Sequence, residues 1–138
     1  MPRKTDSNNP ADWLLIAESE LDGLRLLAER ETAYALCRSK LAEVLEKLLK
    51  AELIRRHWPL ERTHDLLRLA GELRARDPDL AERLKPLCTA LAQVYFYARY
   101  PGFDLEDPDW PDCRAKLDQV AGLLELVKAR VVGPPEQG

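Results

Sequence analysis

The strongest constraint on this chain is the spacing of apolar residues between Tyr34 and Ala51. Tyr34, Cys37, Leu41, Val44, Leu48 and Ala51 recur at intervals of three and four. That is a heptad-like seam, as in a helix packed lengthwise against another. Leu45, Leu49 and Leu53 widen the apolar face, so this helix is expected to have two partners.

The remainder of the chain reads as those partners. Asn9-Pro10 precedes a helix from Ala11 to about Arg30, with Trp13, Ala17, Leu21, Leu24 and Ala28 on one stripe. The seam helix itself is expected from near Glu31 to about His57. Thr63 is a good N-cap for a third helix through Leu66, Leu69, Ala70 and Leu73, with Asp65 in its first turn, where the helix dipole favours an acid. Asp77-Pro78 supplies a cap and a Pro at the first position of a fourth helix. Leu80, Leu84, Leu87, Leu91, Val94 and Ala98 follow at helical spacing, and Pro86 inside this run is expected to kink or divide it. A fifth helix spans about Pro111 to Val131, with Leu117, Val120, Leu124, Val127 and Val131 on one face. No segment alternates with period two. The expected fold is all-α, an up-and-down bundle of about five helices over residues 10–132, with residues 1–9 and 133–138 as mobile tails.

Composition narrows the function classes. At 138 residues, 46% hydrophobic and 33% charged, the chain is long enough for one core and is not a disordered sequence. Its net charge of −3 excludes a generally basic nucleic-acid binder. The charge is uneven: residues 30–64 hold eight Lys/Arg against five Asp/Glu, so a polyanion contact is expected in the middle of the chain. Three widely spaced cysteines, Cys37, Cys88 and Cys113, argue against a disulfide framework or a zinc site. The start, MPRKTDSNNPADW, lacks the apolar stretch of a signal peptide, and no apolar run is long enough for a membrane span. A cytoplasmic protein with no membrane contact, cofactor or metal is expected.

Three short segments carry a resemblance. Ala42, Glu46, Lys47, Lys50 and Ala51 lie on the second helix, Thr63-His64-Asp65-Leu66 opens the third, and Arg99-Tyr100-Pro101 closes the fourth. In this order and on this helical plan the chain resembles the HEPN domain family (higher eukaryotes and prokaryotes nucleotide-binding), of the type associated with nucleotidyltransferases, over roughly Trp13 to Pro101. The resemblance implies a helical bundle, commonly a homodimer. It further implies either nucleotide or RNA binding beside a minimal nucleotidyltransferase, as in toxin–antitoxin systems, or a metal-independent ribonuclease acting through Arg, four to six residues, then His. That last motif is absent. The positions five to seven before His57 are Glu52, Ala51 and Lys50, and those before His64 are Pro59, Trp58 and His57. No catalytic residue is therefore assigned, and the chain is read as leaning away from an enzyme.

The residues singled out each fit two roles. His64 and Asp65 suit a ligand site or acid–base pair, or a helix-capping element in which Asp65 holds free backbone N–H groups. Lys47 and Lys50 suit phosphate, or a solvated helix face paired with Glu43 and Glu46 at i,i+4. Arg99 and Tyr100 suit phosphate recognition by a rigid guanidinium, or the end of a helix whose dipole favours a cation. Arg55, Arg56 and Arg62 flank the Trp58-Pro59 loop as the expected basic patch, and Trp58 is expected as a core or interface anchor. The nucleotide- or RNA-binding set is thus His64, Asp65, Arg99, Tyr100, Arg62, Lys47 and Lys50. The reading expects a binding domain, with a homodimer, a small nucleotidyltransferase, and nucleotide or RNA as partners. The alternatives are a ribonuclease with a degenerate site around Arg62, His64 and Arg99, and a purely structural dimerisation module. A short turn near Asp77 makes the third and fourth helices antiparallel, which is expected to bring Arg99 back toward His64 and Asp65.

Overall fold

The described residues form five helices: α1 (Pro10–Glu29), α2 (Tyr34–Arg55), α3 (Leu66–Arg76), α4 (Pro78–Arg99) and α5 (Trp110–Val132). The structure is a computed structural model that describes the backbone of residues 7–99 and 107–132 and the side chains of residues 7–93 and 107–132. There is no strand among the described residues, so the all-α bundle expected from the apolar spacing is what forms. Among the described residues, no helix is long and apolar enough to cross a membrane.

α2 is the axis. It packs against all four other helices, while α1 pairs with α5 and α3 pairs with α4. Its seam and its wider apolar face are both buried: Leu41, Leu45, Leu48, Leu49 and Leu53 have essentially no exposed surface. The whole apolar face of α2 is thus covered within one chain.

Long-range pairs fix the directions. Trp13 meets Lys50 and Glu20 meets Lys40, so α1 is antiparallel to α2. Asp112 pairs with Arg38 and Arg130 with Glu52, so α5 runs alongside α2 in the same direction. His64 meets Glu46, whereas Asp77 meets Arg56. The segment 56–65 therefore carries the chain back along α2 before α3 begins, and buried Trp58 anchors that return. α4 then comes back past the start of α3.

The helix ends follow local chemistry. Asn9 caps α1 by accepting from Ala11 N–H at 3.0 Å, and Asp77 caps α4 by accepting from Leu80 N–H at 3.1 Å. α2 differs from expectation at both of its ends. α1 stops at Glu29 and α2 starts at Tyr34, and α2 ends at Arg55. Both C-termini close with paired backbone hydrogen bonds around a left-handed residue. Thr32 N–H reaches Leu27 C=O and Glu31 N–H reaches Ala28 C=O, with Glu31 at φ 49°. Trp58 N–H reaches Leu53 C=O and His57 N–H reaches Ile54 C=O, with His57 at φ 66°. These are Schellman closures in which Glu and His occupy the position usually held by Gly. α4 runs unbroken through Pro86, so the expected division does not occur. Pro86 and Glu82, whose carbonyl loses its helical donor, both lie on the exposed side, where water can serve that carbonyl.

Candidate functional site

Glu46 and Lys50 lie one turn apart on α2, on the face that also carries Ala42, Leu49 and Leu53. Both are buried, with Lys50 only 3% exposed. The Lys50 ammonium donates to Glu46 Oε2 at 3.0 Å and lies 5.2 Å from the Trp13 ring centroid. The i,i+4 pair expected on a solvated face is thus an internal one, closed on its outer side by an aromatic ring of α1. Trp13 is in turn held by its indole N–H, which donates to Ser7 C=O at 2.8 Å.

The same Glu46 oxygen receives a third group. His64, at the end of the return segment, places Nδ1 3.0 Å from Glu46 Oε2. The imidazole is 66% exposed, whereas the Glu46 side chain is 7% exposed. One edge of the ring therefore faces a buried carboxylate and the rest faces outward.

The start of α3 is organised by Asp65. Its carboxylate accepts from Leu67 N–H at 3.0 Å and Arg68 N–H at 3.2 Å. Asp65 is the N-cap, and Thr63, expected in that role, instead accepts from Asp65 N–H at 3.1 Å. The sequence Thr-His-Asp therefore sets two successive turns that leave His64 projecting between them. A cleft of about 300 Å³ opens here, lined among the described residues by His64, Asp65, Leu66 and Ala92. Its volume is at the lower end of the range for small-molecule clefts. Ala92 belongs to α4, so that helix does return past the start of α3, as the short turn at Asp77 requires.

The other singled-out cations are occupied elsewhere. Lys47 pairs with Glu20 of α1, and Lys40 joins the same carboxylate at 3.2 Å. Arg55 and Arg56 both bond to Glu52, so they do not form an open basic patch. Glu52 is 1% exposed and also takes a hydrogen bond from Arg130 of α5 at 2.9 Å. Burial alone would raise the Glu52 carboxyl. Hydrogen bonds from Arg55 and Arg56, with the charges of Arg55 and Arg130, outweigh burial and hold it below its ordinary value. Asp77 is lowered first by the Leu80 N–H and then, against its own desolvation, by Arg130 and Arg56. The positive excess of residues 30–64 is largely matched in the fold by carboxylates of α1 and α5 and by Asp77.

Of the proposed binding residues, His64 and Lys50 meet at Glu46 and Asp65 lines the adjoining cleft beside His64, while Lys47 pairs with Glu20 on the α1 side of α2. Arg62 is exposed on the return segment. The Arg99 side chain and Tyr100 lie outside the described residues. Sequence reasoning missed Glu46 and Trp13 as parts of this site. The available signal was a charged pair set in an otherwise apolar helix face. No cluster of His, Cys, Asp or Glu suited to a metal occurs among the described residues.

Comparison with curated proteins finds no match, and comparison with solved structures finds none either. A family model does match: that of the HEPN domain, over residues 10–130, which spans all five helices. The three motif segments noted in the sequence lie within that range, and two of them, Glu46/Lys50 and His64/Asp65, meet in space. The chain belongs to the HEPN domain family.

Proposed function

We propose that this domain binds a nucleotide or RNA at the His64–Asp65 cleft, acting in the cytoplasm as the helical partner of a minimal nucleotidyltransferase in a toxin–antitoxin type system. One observation carries the site. His64, held against Glu46 of α2, lines a cleft with Asp65 and Leu66, and that cleft continues at Ala92 onto α4, the helix that ends at Arg99. Arg99 stands seven residues beyond Ala92, roughly 10 Å along the helix, and supplies the phosphate contact in this reading. Arg62, Tyr100, Lys47 and Lys50 complete the proposed surroundings.

Binding is favoured over cleavage. Metal-free RNA cleavage needs a base and a phosphate-stabilising cation held together, and neither histidine has an Arg at the family spacing. The purified protein is expected to bind ATP or a short RNA and to leave the RNA uncut. Arg99→Ala is expected to weaken that binding while the melting temperature barely moves. If Arg99 only anchors Asp65, the same change lowers stability by roughly 1–3 kcal/mol and leaves binding intact. Robust cleavage abolished by His64→Ala would favour the ribonuclease alternative.

A homodimer forms part of the proposal. Leu15 and Leu26 lie three turns apart on one face of α1 and remain 70% and 60% exposed. A second copy covering such a face is the commonest closed arrangement. Sedimentation at micromolar concentration is expected at about twice 15.8 kDa. A monomer there would overturn the dimer.

A further inference from the structure

We infer that α1 pairs with the α1 of a second copy in antiparallel orientation, about a twofold axis between Glu20 and Leu21, so that Leu15 of each chain faces Leu26 of the other and Glu18 faces Arg25. This rests on the homodimer reading above and supplies the direction and pairing of the two copies.

The buried stripe of α1, Trp13, Ala17, Leu21, Leu24 and Ala28, has a counterpart on the opposite side of the helix. Leu15, Ser19, Asp22 and Leu26 are all exposed and recur at four, three and four residues. That is a second seam, turned to solvent. In antiparallel pairing Leu15 faces Leu26 at both ends of the seam, and Ser19 faces Asp22 between them, where the hydroxyl can donate to the carboxylate. In parallel pairing each residue faces its own copy, and Asp22 meets Asp22.

The residues beside the seam select the same direction. Glu18 and Arg25 lie two turns apart on one flank. Antiparallel pairing sets Glu18 of each chain beside Arg25 of the other, two contacts between opposite charges. Parallel pairing would instead bring Arg25 toward Arg30. Glu18 accepts from Lys128 at 2.8 Å within its own chain, and a carboxylate has lone pairs enough to take Arg25 as well. On the other flank the exposed Ile16 faces Gly23. A Cβ on Gly23 would meet nothing within 4 Å in the single chain, so the chain's own packing gives no reason for glycine in the middle of a helix that alanine would favour. Ile16 of a second copy gives one. Beyond Leu15 and Leu26 the pairing ends, because Asp12 would face Glu29. The contact is therefore about three turns of helix, small for a stable interface, and a dissociation constant on the order of micromolar is expected.

The test is sedimentation equilibrium of the full chain with two charge variants, Glu18→Arg and Arg25→Glu, each checked for helix content by circular dichroism. Either one alone sets like charges against each other in both flanking contacts and is expected to dimerise at least about tenfold more weakly than the parent. Mixed one to one, the two are expected to recover a dimer at the parent's concentration, since each supplies the charge that the other has lost. A second measurement leaves the seam intact. A spin label on Ala11→Cys, an exposed position near the start of α1, is expected to give a label-to-label distance of roughly 30 Å in the antiparallel dimer, against about 10 Å in a parallel one. If the parent dimerises but the mixture shows no recovery, if either variant alone dimerises as the parent does, or if the labels lie near 10 Å, this inference falls and the dimer stands on another face or direction. If the parent is a monomer throughout the micromolar range, both fall.

Discussion

Arg130, near the end of α5, donates to Glu52 of α2 at 2.9 Å across 78 residues of sequence, and the same nitrogen lies 3.1 Å from Asp77. Arg56 spans the same two carboxylates, and Arg55 adds a bidentate contact to Glu52. α2, α5 and the α3–α4 turn are thus tied at one end of the bundle around a carboxylate that is almost wholly buried.

Removing that carboxylate leaves three guanidinium groups facing one another with only Asp77 between them. Breaking a buried pair by deleting one partner costs about 3–5 kcal/mol. Glu52→Ala is expected to fall in that range in urea unfolding. A loss below about 1 kcal/mol would mean that the three arginines are held by solvent and not by Glu52.

The same network sets an acid limit. Glu52 and Asp77 are both held below their ordinary values of 4.5 and 3.8 in the folded chain. A depressed carboxyl contributes stability that is complete above its unfolded value and is lost as pH falls through its folded value. Unfolding free energy is therefore expected to be insensitive to these two groups between pH 7 and 5 and to decline below about pH 4.5. The decline should be shallower in Glu52→Gln and shallower again when Asp77→Asn is added. An equal slope in all three proteins would show that other carboxyls control acid unfolding.

The helices were legible in the sequence because burial on one face imposes its period directly: the stripe from Tyr34 to Ala51, widened by Leu45, Leu49 and Leu53, reads as a helix with two partners. The charged residues were less legible. Lys47 matches Glu43 at i,i+4, yet it pairs with Glu20, because the helix facing it in space is not its neighbour in sequence. Lys50 does pair with Glu46, but whether such a pair is solvated depends on Trp13 of another helix. Arg55 and Arg56 read as a basic patch because Glu52 lies on the same helix turn while Asp77 and Arg130 are distant in sequence. The convergence of His64 on Glu46 required knowing that residues 56–65 double back along α2, and only the buried Trp58 hinted at that path.

The three thiols give a test of the core. Burial, with a smaller contribution from Cys113, pushes the Cys37 thiol up to about 11, and burial pushes Cys88 up to about 11. Cys113 is raised chiefly by burial, in spite of nearby Arg38. Since the thiolate is the reactive form, all three should resist a thiol reagent at pH 8 until the chain unfolds. Labelling of any one at the rate of a free thiol under native conditions would show that its helix opens locally.

The end of α2 offers the last test, because there a residue with a side chain occupies a conformation that favours glycine. His57 has φ 66° and is exposed, and its backbone N–H is already used in the Schellman closure. A left-handed conformation costs a residue with a Cβ roughly 1–2 kcal/mol, a cost that Gly does not bear. Gly also enlarges the freedom of the unfolded chain, which takes back about 0.4–1 kcal/mol. The first term is the larger, so His57→Gly is expected to raise stability by about 0.5–1 kcal/mol. His57→Val should lower it, since a β-branched side chain is poorly tolerated there. Glu31 makes the internal comparison. It has φ 49° in the matching position after α1, but its carboxylate also receives Arg114 at 2.8 Å. Glu31→Gly should therefore gain less than His57→Gly. A loss of more than about 1 kcal/mol in His57→Gly would mean that the imidazole, and not the backbone, holds the end of the helix.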